Sequence, residues 1–459
     1  MKKKYLILFI ALAAILHTLP AASFSDIISG AKNVSPTYQN ILITYENSLI
    51  SIRNQEAEDK IGITVNGSVN PLLDKGDEKG INASSDVSLT LPGDGKTSIT
   101  AGLKGTTYYD GSSQSITPSI GASHTFDFTG YSSSDASDIS LAQSKYSTEL
   151  TRKSAELNFE KSVISTISTV LSYEKNLGKA KRTLENQKTL MEKMDTLGTY
   201  STSSPTYISA KNTLTQAEAS YSAALTQYEN AKANFTDLTG LEWTGVEDLP
   251  DPVLDLKTYQ GGNTSVLLKS LSVSASEEEY KAKKASLEPS SLYLSGSLSG
   301  TISSSASLTL GGTVKYTGPS WSVTATPGVT INENKTTPSL TISGSWSKVG
   351  SSSDTLLSYE NKVKSAENDY VSALSSYSEE AQSLSLRILN WESGMDSARN
   401  TLEYQKMLLE NEKLMYSLGL STKTDVEKAE LEVLSAEYDL KTKTLEGLSL
   451  ERDLEIFAL

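Results

Sequence analysis

The sequence predicts a mainly α-helical chain built from two internal repeats, each carrying a strand-rich stretch suited to a membrane β-barrel. Three observations lead there. Apolar residues fall at alternating steps of three and four, the seam of a coiled coil, from Tyr207 through Ala210, Leu214, Ala217, Tyr221, Ala224, Tyr228, Ala231 and Phe235 to Leu238. The same frame returns 219 residues later (207 to 426) as Val426, Ala429, Val433, Ala436, Leu440, Leu450, Leu454 and Phe457, broken only by Lys443 and Gly447. Each run follows a Met-x-x-Leu-Gly, Met194 to Gly198 and Met415 to Gly419 with a two-residue slip in offset. A duplication on this scale means two equivalent halves. Finally, two Ser/Thr/Gly-rich stretches alternate apolar and polar residues, as a strand with one greasy side does.

The chain opens with Lys2, Lys3 and Lys4, an apolar run from Tyr5 to Leu19, and small residues at Ala21, Ala22, Ser23 and Ser25. This is the pattern of a secretory signal peptide over residues 1–25, cleaved after Ser23 or Ser25. The run is too short for a retained anchor, and no later stretch approaches the ~20 apolar residues of a spanning helix. A membrane location therefore requires a closed β-barrel. Cysteine is absent, and of two histidines His17 leaves with the signal, so His124 is the one imidazole of the mature chain. The net charge of −14 becomes −17 once the three signal lysines go (−14 minus 3). Such an acidic exported protein is a poor nucleic-acid binder. Glycine-rich phosphate loops, zinc-ligand spacings and serine elbows are missing from the sequence, which predicts no enzymatic activity and no cofactor.

The first repeat, 26–240, starts at Ser35-Pro36, a capping hydroxyl before the residue favoured at the first helical position. Tyr38, Tyr45 and Ile52 then recur every seven in a helix to about residue 60. Strands follow over 61–130, where Ile63 and Val65, Val87 and Leu89, and Ile99 and Leu103 alternate with polar residues. A long helix spans 138–196, with Leu150, Leu157, Ile164 and Leu171 at spacing seven and Val170, Leu177, Leu184 and Met191 beside them. A shorter helix covers 203–240, and a Gly/Pro/Asp-rich connector occupies 241–264. The second repeat, 265–459, restates the order: helix to 287, strands 291–347, a long helix 354–416 carrying Tyr370, Tyr377, Leu384 and Trp391, and a helix 424–457. At 1.5 Å per residue the long helices reach about 90–95 Å each, and two composite helices of similar length complete a four-helix wall. Helices this long suit a structure that bridges a distance.

This arrangement resembles the TolC-like outer-membrane efflux protein family, the exit ducts of drug pumps and type I secretion systems. The resemblance spans the mature chain. Its most specific pieces are Gly198 to Ala210 and Gly419 to Ala429, each a glycine, a short turn and an alanine-seamed helix, together with Leu287-Glu-Pro289 and Leu238-Thr-Gly240. The resemblance implies a homotrimer whose long coiled-coil helices form a periplasmic α-barrel, capped by a trimeric β-barrel in outer-membrane lipid. Four strands per subunit would make a barrel of twelve, although both strand regions are long enough for four short strands each. It further implies a periplasmic adaptor (membrane fusion protein) and an inner-membrane pump as partners.

The same resemblance supplies candidate site residues. Met194, Leu197 and Gly198, with Met415, Leu418 and Gly419, would form hairpin tips facing the adaptor. The family's basic residue four before the tip glycine is methionine at both places here, which predicts an apolar grip. Tyr416, Asp425 and Lys428 would line a periplasmic aperture; Asp425 is also well placed as a helix-start aspartate favoured by the dipole. Tyr108, Tyr109, Tyr316, Trp321 and Trp346 near strand ends are candidates for an interfacial girdle. The rival to the duct is a periplasmic coiled-coil scaffold or stalk without a pore, its strands forming a soluble sandwich. A hydrolase in the strand regions would have to rest on His124.

Overall fold

The computed structural model describes residues 22–459 except 59–61, 75–76, 92–96, 112–113, 130, 132, 198–200, 260, 262, 304 and 347–351. Its elements run β1 (Ala22–Ser23), α1 (Phe24–Val34), α2 (Pro36–Glu58), β2 (Gly62–Asp74), β3 (Asp77–Thr90), β4 (Thr97–Tyr108), β5 (Gln114–Asp127), α3 (Ser133–Leu197) and α4 (Pro205–Thr239). The order continues with β6 (Val246–Glu247), α5 (Leu256–Tyr259), α6 (Thr264–Leu287), β7 (Ser291–Thr301), β8 (Ser307–Thr317), β9 (Trp321–Asn332), β10 (Lys335–Trp346), α7 (Ser352–Ser417) and α8 (Lys423–Ala458). The chain divides into two compact units.

The helical unit takes in residues up to Glu46, Glu149–Thr264 and Ser375–Leu459. Its heart is a stripe on α3, where Phe159, Val163, Ile167 and Val170 are buried with Phe235 of α4, Leu445 and Leu448 of α8, and Phe24 and Ala31 of α1. The alanine seam of α4 is buried every seventh residue, at Ala210, Ala217, Ala224 and Ala231; small side chains at these steps let neighbouring helices approach closely. A second cluster joins Leu384 and Ile388 of α7 to Leu450, Leu454 and Phe457 of α8, with Tyr377 stacked on Phe457 at 4.4 Å between centroids. The α8 stripe thus serves two cores on two faces, which is why Leu445 and Leu448 are buried outside the single seam predicted from the repeat. Gly447, a break in that seam, has a steric cause: a Cβ there would lie 2.5 Å from Trp391 Cζ2 and 2.6 Å from Pro252 Cγ. The Trp391 indole also donates to the Lys443 carbonyl at 2.7 Å, so the other break is a docking point too.

Charges stitch the same helices. Glu160 of α3 is buried between Lys32 of α1 and Arg452 of α8, each at 2.5 Å. Asp453 pairs with Lys161 and Arg387, joining α3, α8 and α7. Sequence periodicity does not predict α1. Ser23 caps it by accepting from the Asp26 amide, and Phe24, Ile27 and Ala31 are buried, with β1 pairing in parallel to β6. The predicted signal segment lies outside the described residues up to position 21, and its last residues, 22–25, belong to this fold. Cleavage after Ser25 would remove a buried phenylalanine.

The sheet unit comprises Asn47–Thr148 and Ser265–Leu374. Its described residues form one antiparallel sheet of eight strands in the order β10-β9-β8-β7-β5-β4-β3-β2. This corrects the four strands per subunit that the resemblance implied: each predicted strand region makes four. The reason is turn chemistry. Turn-forming residues such as Asp110-Gly111 and Gly318-Pro319-Ser320 interrupt the regions, whose strands run 11–14 residues each. The helical segments of this unit bury Ile52 and also make polar contacts, such as Lys145 with Glu56 at 2.7 Å and Lys362 with Glu279 at 3.2 Å. Exposed pairs of this kind are worth little each.

Candidate functional site: a two-faced sheet and two helical tips

Register across the sheet decides what each face is made of, because residues directly opposite in neighbouring strands share a face. One row runs Val65, Val87, Ala101, Ile120, Leu298, Leu310, Val329 and Pro338 through all eight strands. The next row, one residue along, runs Thr64, Ser88, Thr100, Gly121, Ser297, Gly311, Gly328 and Ser339. The alternation persists along the strands, so one face is Val, Ile and Leu and the other is Ser, Thr, Asn and Gly. Hydroxyls bridge neighbouring strands on the polar face, as between Ser68 and Ser84, Ser98 and Ser123, and Ser322 and Ser345, each at 2.8 Å.

The apolar face is uncovered. Val65 is 66 % exposed, Ile120 in mid-sheet 55 % and Leu340 64 %. A water-soluble sandwich buries this face against a second sheet; among the described residues nothing does so here. The strands also have membrane dimensions, since about 9–11 tilted residues cross a bilayer. Among the described residues no helix is long and apolar enough to do the same.

Aromatic residues gather at the strand ends next to the helices in sequence. Tyr316 packs against Trp321 at 4.9 Å, Trp321 pairs with Trp346 across β9 and β10, and Phe126 lies on the same face. Tyr109 sits beyond the opposite end of β4, and Tyr108 belongs to the hydroxyl-rich face. Three of the five girdle candidates therefore group together, and Phe126 joins them. His124 lies on the apolar face, edge-on to Phe126 at 4.4 Å, with its Nδ1 2.6 Å from Thr97 Oγ1. No carboxylate stands opposite it in the register rows, where its partners are Thr97 and Leu294.

The second helical tip is built by helix-ending chemistry. Gly419 takes a left-handed φ of 75°, and the amides of Gly419 and Leu420 donate to the carbonyls of Tyr416 and Met415, a glycine-closed helix end. Thr422 and Asp425 then form a reciprocal cap on α8: Thr422 Oγ1 donates to Asp425 Oδ2 at 2.6 Å and accepts from the Asp425 amide at 3.3 Å. The hydroxyl of Thr422 holds the Asp425 carboxyl below its usual range, with help from the Thr422 amide and then Lys428. Lys428 stands 3.7 Å from Asp425. The geometry thus assigns Asp425 a capping role at once. Tyr416 is exposed, as are Leu414, Leu418 (63 %) and Leu420 (68 %), while Met415 is half-buried.

The first tip differs. Met194 is buried with Met191 against Ala210, so its side chain fills the seam between α3 and α4 instead of standing at the surface. Leu197 is the last residue of α3, its side chain outside the described set, and Gly198 lies outside the described residues. Ser204 caps α4 by accepting from the Tyr207 amide, and the Tyr207 hydroxyl donates to Asp195 at 2.9 Å, a bond that raises the Tyr207 pKa.

The TP096X N-terminal domain family matches residues 28–258 of this sequence, half of the chain. The chain belongs to the TP096X family. No curated protein matches it. In architecture this TP096X chain is similar to VceC, an outer membrane protein of Vibrio cholerae, with a TM-score of 0.52 at 14% identity over 94% of either chain. It is similar to CusC with a TM-score of 0.54 at 13% identity, over 96% of this chain and 95% of that one. The CmeC outer membrane channel of Campylobacter jejuni gives 0.53 at 13% identity, over 95% and 85%. The fold is that of the TolC-like outer-membrane channels.

Proposed function

We propose that this TP096X-family chain is the subunit of a trimeric outer-membrane channel, a passive duct that exports drugs or secreted polypeptides when an adaptor and an inner-membrane pump engage it. One observation carries the reading: a sheet with an uncovered face that is apolar through every strand and an opposite face that is hydroxyl-rich. That is the wall of a barrel with lipid outside and water inside. The TolC-like fold and the two long helices, α3 and α7, support a periplasmic extension. Energy comes from the pump, because the chain has no motif for nucleotide or metal chemistry.

At the tips, the predicted Leu418 is joined by exposed Leu414 and Leu420 in an apolar grip, and Gly419 shapes the turn that presents them. Met194 supports this from inside the first hairpin. Tyr416, Asp425 and Lys428 form the aperture group, with Asp425 serving the helix cap at the same time. Export begins with removal of the N-terminal segment upstream of Ala22, since Ala22 pairs with Val246 and Phe24 is in the core. N-terminal sequencing of the mature protein is expected to start at or before Ala22, and a start at Asp26 would refute that assignment.

Extraction tests the whole reading. The mature protein is expected to stay with membranes through salt and alkaline washing, to need detergent for release, and to conduct in planar bilayers. Release as a soluble species without detergent would support the scaffold instead and remove the channel.

A further inference from the structure

An eight-stranded open sheet has two edges, and here they are β2 and β10. Both are long, 13 and 12 residues, and β10 is exposed at every residue. Soluble proteins keep edge strands short, charged or covered. In β10 the only charge is Lys335 at its first residue. Inside lipid, a row of unpaired amides and carbonyls is untenable, so the sheet has to close. All neighbours are antiparallel and the number of strands is even, so β10 runs opposite to β2 and the two edges are complementary.

Closure of the chain on itself would give an eight-stranded barrel, whose interior is filled by side chains. The polar face is unsuited to that. Its central row holds nothing larger than threonine and includes Gly121, Gly311 and Gly328, which is a lining for water and not a packed core. Resting on the channel reading above, we propose that β10 of one subunit pairs antiparallel with β2 of the next. Every subunit then contributes all eight of its strands, and three subunits close a ring of twenty-four, twice the number the family resemblance implies. With strands about 4.8 Å apart and tilted by about 40°, such a ring is roughly 150 Å around and about 48 Å across, backbone to backbone. A folded polypeptide of about 100 residues has a radius of gyration near 13 Å and fits within it. Away from the strand ends the described polar face carries only Asp86, Lys104 and Lys315 as charges, so the wall selects weakly by charge and suits bulky hydrated cargo.

The chain has no cysteine, which makes engineered pairs unambiguous. One cysteine replaces Thr341 or Ser343 on β10 and one replaces Thr64, Asn66 or Ser68 on β2, in all combinations, so that several registers are sampled. Membrane association of each variant is scored first; its loss in the cysteine-free protein would count against the channel itself, separately from the edge contact. In the membrane-inserted protein, oxidation is expected to give reducible covalent dimers and trimers on denaturing gels for at least one combination. A bond confined to the monomer would show self-closure and overturn the proposal, as would the absence of bonds in every combination. A second measurement labels single cysteines with a membrane-impermeant maleimide. Positions of the Thr64–Ser339 row are expected to react in all eight strands and those of the Val65–Pro338 row to be protected; alternation in only four strands would overturn the ring of twenty-four.

Discussion

Phe235 in the helical unit and Ile120 in the sheet unit are both large apolar side chains in the middle of regular elements, yet Phe235 is 1 % exposed and Ile120 faces outward. The contrast holds throughout each unit. Helical residues are sealed in two cores, Val163 and Leu445 in one and Leu454 in the other, whereas Val65, Leu310 and Ile342 of the sheet stand on an uncovered face. On the channel reading proposed above, one chain obeys opposite burial rules because its two units are built for different solvents. Apolar burial stabilises the helices by removing surface from water, and the sheet reaches the same end only when hydrocarbon replaces water at its outer face.

Two substitutions break the comparison most directly. Phe235→Ala empties a site shared by α3, α4 and Trp243, whose ring lies 5.1 Å away, and is expected to cost about 3–5 kcal/mol in denaturant unfolding followed by circular dichroism. A loss under ~1 kcal/mol would mean this cluster does not hold the helices. Ile120→Arg is the test of the sheet: at mid-bilayer an outward arginine costs about 2–4 kcal/mol, while Thr100→Arg on the polar face is expected to be close to neutral. Refolding into liposomes measures both. If Ile120→Arg refolds as well as the parent, the uncovered face does not meet lipid.

The same two solvents explain what was legible beforehand. Coiled-coil spacing located α3, α4, α7 and α8 to within a few residues, since water-driven burial imprints a period on sequence. The start of α3 at Ser133 escaped because residues 133–137 are Ser, Asp and Ala, which carry no apolar stripe. Helix α1 was hidden by its neighbour: Phe24 and Ile27 follow the apolar N-terminal run and look like its tail. Two-residue strands such as β1 and β6 have no period to detect. Alternation revealed the strands but not their number, because register and turn positions, not composition, separate two long strands from four shorter ones. At the candidate site, Asp425 was visible as a helix-start aspartate, but its reciprocal cap with Thr422 was not. Nor was the inward turn of Met194, since methionine suits a seam and a surface equally.

Glycines sharpen the contrast at smaller cost. Gly447→Ala pushes a methyl into Trp391 and Pro252, and overpacking of this kind costs about 1–3 kcal/mol. Gly105→Ala in β4 meets nothing within 4 Å and is expected to be neutral or to stabilise by up to ~1 kcal/mol through the unfolded chain. Thermal melts of the two variants give the comparison. Equal shifts would show that Trp391 yields easily and that the break at Gly447 has no packing role.

The smallest expected effect is at the second tip, where a helix end stands in water on both accounts. Thr422→Ala removes one half of the reciprocal cap and is expected to cost about 1 kcal/mol of α8 stability, seen as faster amide exchange in its first turn. The pH dependence has a definite sign. The native Asp425 carboxyl titrates below its ordinary value of 3.8 because Thr422 hydrogen-bonds its charged form, so its stabilisation is complete above that ordinary value and is lost as pH falls through the lower native one. Protection of the α8 first turn should therefore fall on acidification in the parent and stay flat in Asp425→Asn. A protein whose tip exchange is independent of acid pH would show that Thr422 does not hold the carboxylate, and would leave Asp425 free to serve the aperture alone.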